Sequence, residues 1–181
     1  MNAKNPIIRI IGVVGVLSLT AIATNAQAAK PKTYKLWSPP DHSFTIEVPK
    51  KLKEFEGYSQ VDQPNAVKSY GVQKQKRAFI VYILKFKDYE TKSTEDKFGG
   101  LFFMIGGDDD WEFTEQNRIV DGFSAQQIVY KNQNKKGLFI DAGNMVIVLG
   151  FTAEERAELS SPEVIRFFNS FRLDRDAKNG I

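Results

Sequence analysis

Phe44, Ile46 and Val48 alternate with polar residues, and Pro49 ends the run. A period of two puts one face of a strand in a core and the other in solvent, so this stretch predicts a half-buried strand. Tyr34 to Trp37 reads as a short edge strand before it. Ser38-Pro39-Pro40-Asp41-His42 between them reads as a turn, because proline cannot donate to a ladder. Lys50 to Asn65 shows no period and reads as irregular and polar. Val67 to Gln73 and Ala78 to Phe86 predict a hairpin pair. In its second strand Phe79, Val81 and Ile83 share one face, while Ile80, Tyr82, Leu84 and Phe86 share the other. A strand apolar on both faces is central and covered on both sides.

The period then changes. Phe98, Leu101, Phe102 and Ile105 form one helical stripe within Ser93 to Ile105, and Ser93 with Asp96 resembles a capping box. Gly99 and Gly100 weaken that helix and call for a close backbone approach. Gly106 or Gly107 reads as its stop. Trp111 to Val120 and Phe123 to Lys131 flank Asp121-Gly122, the strongest hairpin signal in the chain. Gly137 to Asp141 and the apolar run Met145 to Leu149 predict further strands, the second buried and central. Thr152 to Leu159 reads as a short helix with Thr152 and Glu155 as a capping box. Ser161 caps a last helix with Pro162 at its first position, and Val164, Phe167, Phe168 and Phe171 make its buried stripe. Asp174 to Ile181 reads as a disordered polar tail. The order of elements predicts a single α+β domain over residues 29–173, an antiparallel sheet with helices packed on it.

The amino-terminal segment has its own logic. Lys4 and Arg9 precede an uncharged apolar run, Ile10 to Ala23, and Ala26-Gln27-Ala28 follows as a small-x-small site. Residues 1–28 therefore read as a cleaved signal peptide, and the run is shorter than the roughly 20 residues a spanning helix needs. The expected product is exported, periplasmic or secreted, without a transmembrane segment. Of the 25 basic and 22 acidic residues, this segment carries Lys4 and Arg9 and no acid, so the mature excess falls from +3 to +1. Nucleic acid is not an expected partner of so balanced a chain. With no cysteine, the fold cannot be braced by disulfides.

Three stretches together resemble a known family. Ser43-Phe44-Thr45-Ile46-Glu47-Val48-Pro49 resembles the F-x-I/V-x-x-P opening of small exported PsbP-like domains. Val120-Asp121-Gly122-Phe123-Ser124-Ala125 resembles their mid-chain turn and strand start. Ser161-Pro162-Glu163 through Phe167-Phe168-Asn169-Ser170-Phe171-Arg172-Leu173 is similar to their closing helix. The likeness runs from Trp37 to Leu173 and implies an antiparallel sheet sandwiched by helices, an α/β/α arrangement. It also implies an accessory or binding role. The matching positions are core and turn residues, so no functional site carries over.

Candidate chemistry is sparse. Asp41-His42-Ser43 holds the residue types of a triad and the only histidine, but consecutive turn residues do not place histidine between serine and aspartate. One histidine and no thiol supply a zinc site poorly. Lys68, Tyr70, Lys74, Lys76, Arg77, Tyr82, Lys85 and Lys87 form a basic and aromatic hairpin that could meet an acidic partner or serve as a solubilising rim. Phe103 and Met104 project off the helical stripe, either buried under the irregular Lys50 to Asn65 segment or forming a patch for a partner or an apolar ligand. Ile105-Gly106-Gly107-Asp108-Asp109-Asp110-Trp111-Glu112-Phe113 is close to the acidic loop of cyclic-dinucleotide cyclases, but it follows a signal peptide in a chain too short for their other elements. Asp108, Asp110 and Glu112 have calcium-loop spacing, yet Phe113 and Ile119 stand where an EF-hand needs glycine and glutamate. A looser Ca2+ site at the negative end of the helix dipole is the surviving metal expectation. The expected function is a non-enzymatic binding or accessory protein of an envelope or lumen. The alternatives are a hydrolase using a cleft near His42 and a carrier of a small apolar ligand.

Overall fold

The computed structural model describes residues 33–56, 66–85, 93, 98, 101, 105 and 112–174. Its strands are β1 (Lys35–Trp37), β2 (Phe44–Val48), β3 (Lys53–Phe55), β4 (Ala66–Lys74), β5 (Arg77–Lys85), β6 (Phe113–Val120), β7 (Phe123–Tyr130), β8 (Lys135–Asp141), β9 (Met145–Thr152) and β10 (Arg172–Leu173). The helix α1 spans Pro162–Asn169, after a short 3-10 helix at Arg156–Ser160.

The strands apolar on both faces take the centre, as their patterns require. A seven-stranded antiparallel sheet runs β3-β4-β5-β9-β8-β7-β6, with β5 and β9 side by side and Val81 opposite Leu149. Phe79, Val81, Ile83, Ile147, Leu149 and Phe151 enter one core, while Tyr82, Leu84, Val146 and Val148 enter another on the opposite face. The Asp121-Gly122 hairpin forms as predicted, with φ of 51° and 86° at its two turn residues. The Asp121 carboxylate also accepts the Leu173 N–H at 2.8 Å, which ties this turn to the last strand.

The second face is covered by Phe98, Leu101 and Ile105, all buried among Ile128, Tyr130 and Phe139. Phe98 and Ile105 are helical, but Leu101 between them is a turn residue whose N–H bonds to Phe98 O at 2.9 Å, so the single helix expected over Ser93 to Ile105 is interrupted there, and the site of close approach was not legible in the sequence. Gly137 and Gly150 stand opposite each other in β8 and β9. A Cβ on Gly137 would come within 2.6 Å of Ile105 Cδ1, and one on Gly150 within 3.3 Å. Ile105 thus sits on a saddle of two sheet glycines. Gly99, Gly100, Gly106 and Gly107 lie outside the described residues.

Three expectations need correction. The first face is not covered by helices alone. A second sheet, β1-β2-β10, lies there with α1 and the 3-10 helix, so the α+β description fits loosely and antiparallel strands dominate the described residues. Sequence reading missed this sheet because β10 has only two residues and pairs with β2 from the far end of the chain. Thr152 does not cap a helix: it is the last residue of β9, and the 3-10 helix starts after Glu155 with no side-chain cap. Pairing with Ala78 and Lys135 on both sides holds Thr152 in the ladder and overrides the local capping signal. Within the supposedly irregular Lys50 to Asn65, Lys53–Phe55 forms β3 because β4 offers it an edge. The last helix starts as predicted, with the Ser161 hydroxyl accepting the Val164 N–H and Val164, Phe167 and Phe168 buried, but it ends at Asn169, so Phe171, also buried, lies beyond it.

The saddle can be tested by urea denaturation. Gly137→Ala should destabilise the native chain by about 1–3 kcal/mol through overpacking. In an Ile105→Ala background, itself costing about 2–5 kcal/mol, the same change should cost little or become favourable. Equal costs in both backgrounds would show that the two side chains do not meet.

Candidate functional site

The turn holding the only histidine folds around its neighbours' needs. Pro39 O accepts the His42 N–H at 2.9 Å, and His42 adopts a left-handed φ of 54° with its side chain exposed. The Asp41 carboxylate accepts both the Ser43 N–H at 3.2 Å and the Ser43 hydroxyl at 2.8 Å. Aspartate and serine therefore bond directly and the histidine does not stand between them. Burial pushes the Asp41 carboxyl up, but the Ser43 bonds and the nearby Lys85 and Lys68 outweigh it, and the group lies below its ordinary value.

The basic hairpin is largely compensated within the chain. At the β4–β5 turn Lys76 pairs with Glu154, and Arg77 bridges Glu158 and Glu163, the latter at 3.2 Å. Lys74 stands 3.8 Å from the same Glu163, whose side chain is only 3 % exposed. At the other end the charges of Lys85 and Lys68 help to lower the Asp41 pKa. Lys87, Phe103, Met104, Asp108 and Asp110 lie outside the described residues. Glu112 is exposed and stands 3.7 Å from Lys131 in an ion pair. Among the described residues no three histidine, aspartate or glutamate side chains cluster as metal ligands.

What the structure assembles instead is a cleft of about 460 Å³ lined by Trp37, Ser38, Pro39, Pro40, His42, Lys51, Leu52, Lys53, Glu54 and Tyr70. It lies where two sheets end. β1 is the edge of the three-stranded sheet and β3 the edge of the seven-stranded one. Trp37, Leu52 and Tyr70 are buried in the core beneath and supply an apolar floor, with the Trp37 and Tyr70 rings 5.0 Å apart. Tyr70 is 4 % exposed, and its hydroxyl has no hydrogen-bond partner among the described residues. Burial, then Glu54 and Asp41, raise its pKa, so it stays a neutral O–H donor. Lys50, Lys51 and Lys53 are exposed, and none is ion-paired with a described residue. Ser38 spends its hydroxyl on Phe44 O at 2.7 Å.

Sequence reasoning singled out His42 and Tyr70 separately and missed their convergence. It passed over Lys51, Leu52 and Lys53 as irregular. The available signal was a single leucine flanked by lysines immediately after the strand-ending Pro49.

Two measurements probe these groups. Tyr70→Phe should keep the fold and raise its stability by about 1 kcal/mol, because it removes a buried hydroxyl that has no partner among the described residues; a loss in thermal melting would reveal a bond to the hydroxyl. Asp41 has a depressed folded pKa, so its contribution is complete above its unfolded value and lost as pH falls through the folded one. The native chain should exceed Asp41→Asn in stability by under about 1 kcal/mol above about pH 5, with the gap closing below about pH 4. A gap that persists at lower pH would assign it to shape rather than charge.

No family model matches the sequence, and no curated protein matches it. Solved structures do. A protein of unknown function from Pseudomonas aeruginosa, PA94, aligns over 70% of this chain and 85% of its own at 13% identity, with a TM-score of 0.35 that carries no argument. The solution structure of PsbP (CyanoP) from Synechocystis sp. PCC 6803 aligns over 90% of this chain and 100% of its own at 12% identity, with a TM-score of 0.55. The chain therefore has a PsbP-like fold.

Proposed function

We propose that this chain is a non-enzymatic accessory protein of a bacterial envelope or an equivalent lumen, and that it holds a protein partner through the cleft between Trp37 and Tyr70. One observation carries the reading: the cleft is open, apolar at its floor and cationic at its rim, while the groups that catalysis would need are engaged by their neighbours or unconnected. Ser38, His42 and Glu54 all line it, yet no hydrogen bond links any two of them. An enclosed aromatic pocket would suit an apolar-ligand carrier better than this open trough. The PsbP-like fold supports an accessory role, and the signal-peptide pattern of residues 1–28 supports export. No helix among the described residues is long and apolar enough to cross a membrane.

The full-length chain, tagged at its carboxyl end and expressed in its own host, is the material for the test. The form recovered from the envelope or lumen should begin at Ala29 and capture one protein partner reproducibly. Lys53→Trp, which fills the cleft mouth, should release that partner by roughly tenfold or more. Ile119→Ser, at a residue 71 % exposed on β6, should not. Equal capture by the Lys53 variant would remove the cleft from the reading. An esterase or amidase activity abolished by His42→Ala would replace the accessory role with a hydrolase.

A further inference from the structure

We infer that the cleft takes an extended, acidic segment of the partner, laid as an added strand along the outer edge of β3. This rests on the cleft being a binding site and specifies its ligand. Three observations converge on it.

The first is backbone geometry. β3 pairs with β4 on one side only and ends the seven-stranded sheet, so among the described residues its other edge has no strand beside it. An edge strand presents backbone donors and acceptors at strand spacing, and an extended peptide is the ligand that matches them. A folded helix or a compact metabolite would leave them unmatched.

The second is charge. Lys51, two residues before β3, and Lys53, its first residue, line the cleft against the single acid Glu54. The cations of the β4–β5 turn are ion-paired with Glu154, Glu158 and Glu163. The lysines before and within β3 have no ion-pair partner among the described residues, so they remain for a ligand. Acids at alternate positions of an added strand would meet both.

The third is the floor. Trp37, Leu52 and the two prolines give an apolar surface for the side chains between those acids, and aromatic and proline surfaces lose little entropy on contact.

The probe is a blocked peptide of about ten residues of alternating glutamate and valine, with lysine–valine and serine–valine counterparts, titrated calorimetrically at low ionic strength. The glutamate peptide should bind the native chain, and salt should weaken it. Lys51→Glu combined with Lys53→Glu should cost roughly tenfold or more and transfer preference to the lysine peptide. Methylation of alternate peptide amides should abolish binding. Equal binding of the three peptides, or indifference to amide methylation, would overturn the inference. So would self-association of the chain through the same edge with no peptide uptake. If a captured partner is released by Lys53→Trp but no glutamate peptide binds, the cleft reading stands and the acidic strand falls. If neither occurs, both fall.

Discussion

The antiparallel contact between β5 and β9 is the constraint on which the rest of the structure depends. Both strands are apolar on both faces, so neither face can be left to water. One face is closed by Phe98, Leu101 and Ile105, and the fit is set by sheet glycines that let Ile105 approach the backbone. The other is closed by β2 with its partners β1 and β10, and by the Val164, Phe167 and Phe168 side of α1. Covering a seven-stranded sheet with a three-stranded one leaves a margin. The cleft lies at that margin, between the end of β1 and the edge of β3, with core residues as its floor.

Charge placement follows the same geometry. The β4–β5 turn reaches the segment that carries Glu154, Glu158 and Glu163, and its cations are used there. The Glu158 hydrogen bond, opposed by burial, holds the Arg77 guanidinium above its ordinary value. Arg166 similarly pairs with Glu47 and lies over the Tyr34 ring at 4.2 Å, fastening α1 to the second sheet. Some of the chain's cations thus hold elements together, while Lys50, Lys51 and Lys53 near β3 have no ion-pair partner among the described residues.

The history of the Asp41-His42-Ser43 turn shows how local and tertiary information divide. The two prolines announced the turn, and the turn alone argued against a triad. Only the folded chain showed Asp41 bound directly to Ser43. The acidic run from Asp108 to Asp110 lies outside the described residues, and Glu112 at its end faces Lys131.

Periodicity by itself located the longer strands and the last helix, and showed that β5 and β9 must be central, because those properties follow from which side chains share a face. It also located the Asp121-Gly122 turn and the Ser161 cap, since both are set by neighbouring backbone. Tertiary structure alone decided the two-residue β10, the strand fate of Thr152 and the glycine saddle under Ile105. It alone brought Trp37, His42, Leu52 and Tyr70 around one cleft. Each of these depends on contacts between segments far apart in the chain, where the free energy comes from surfaces meeting and leaves no repeat in either segment.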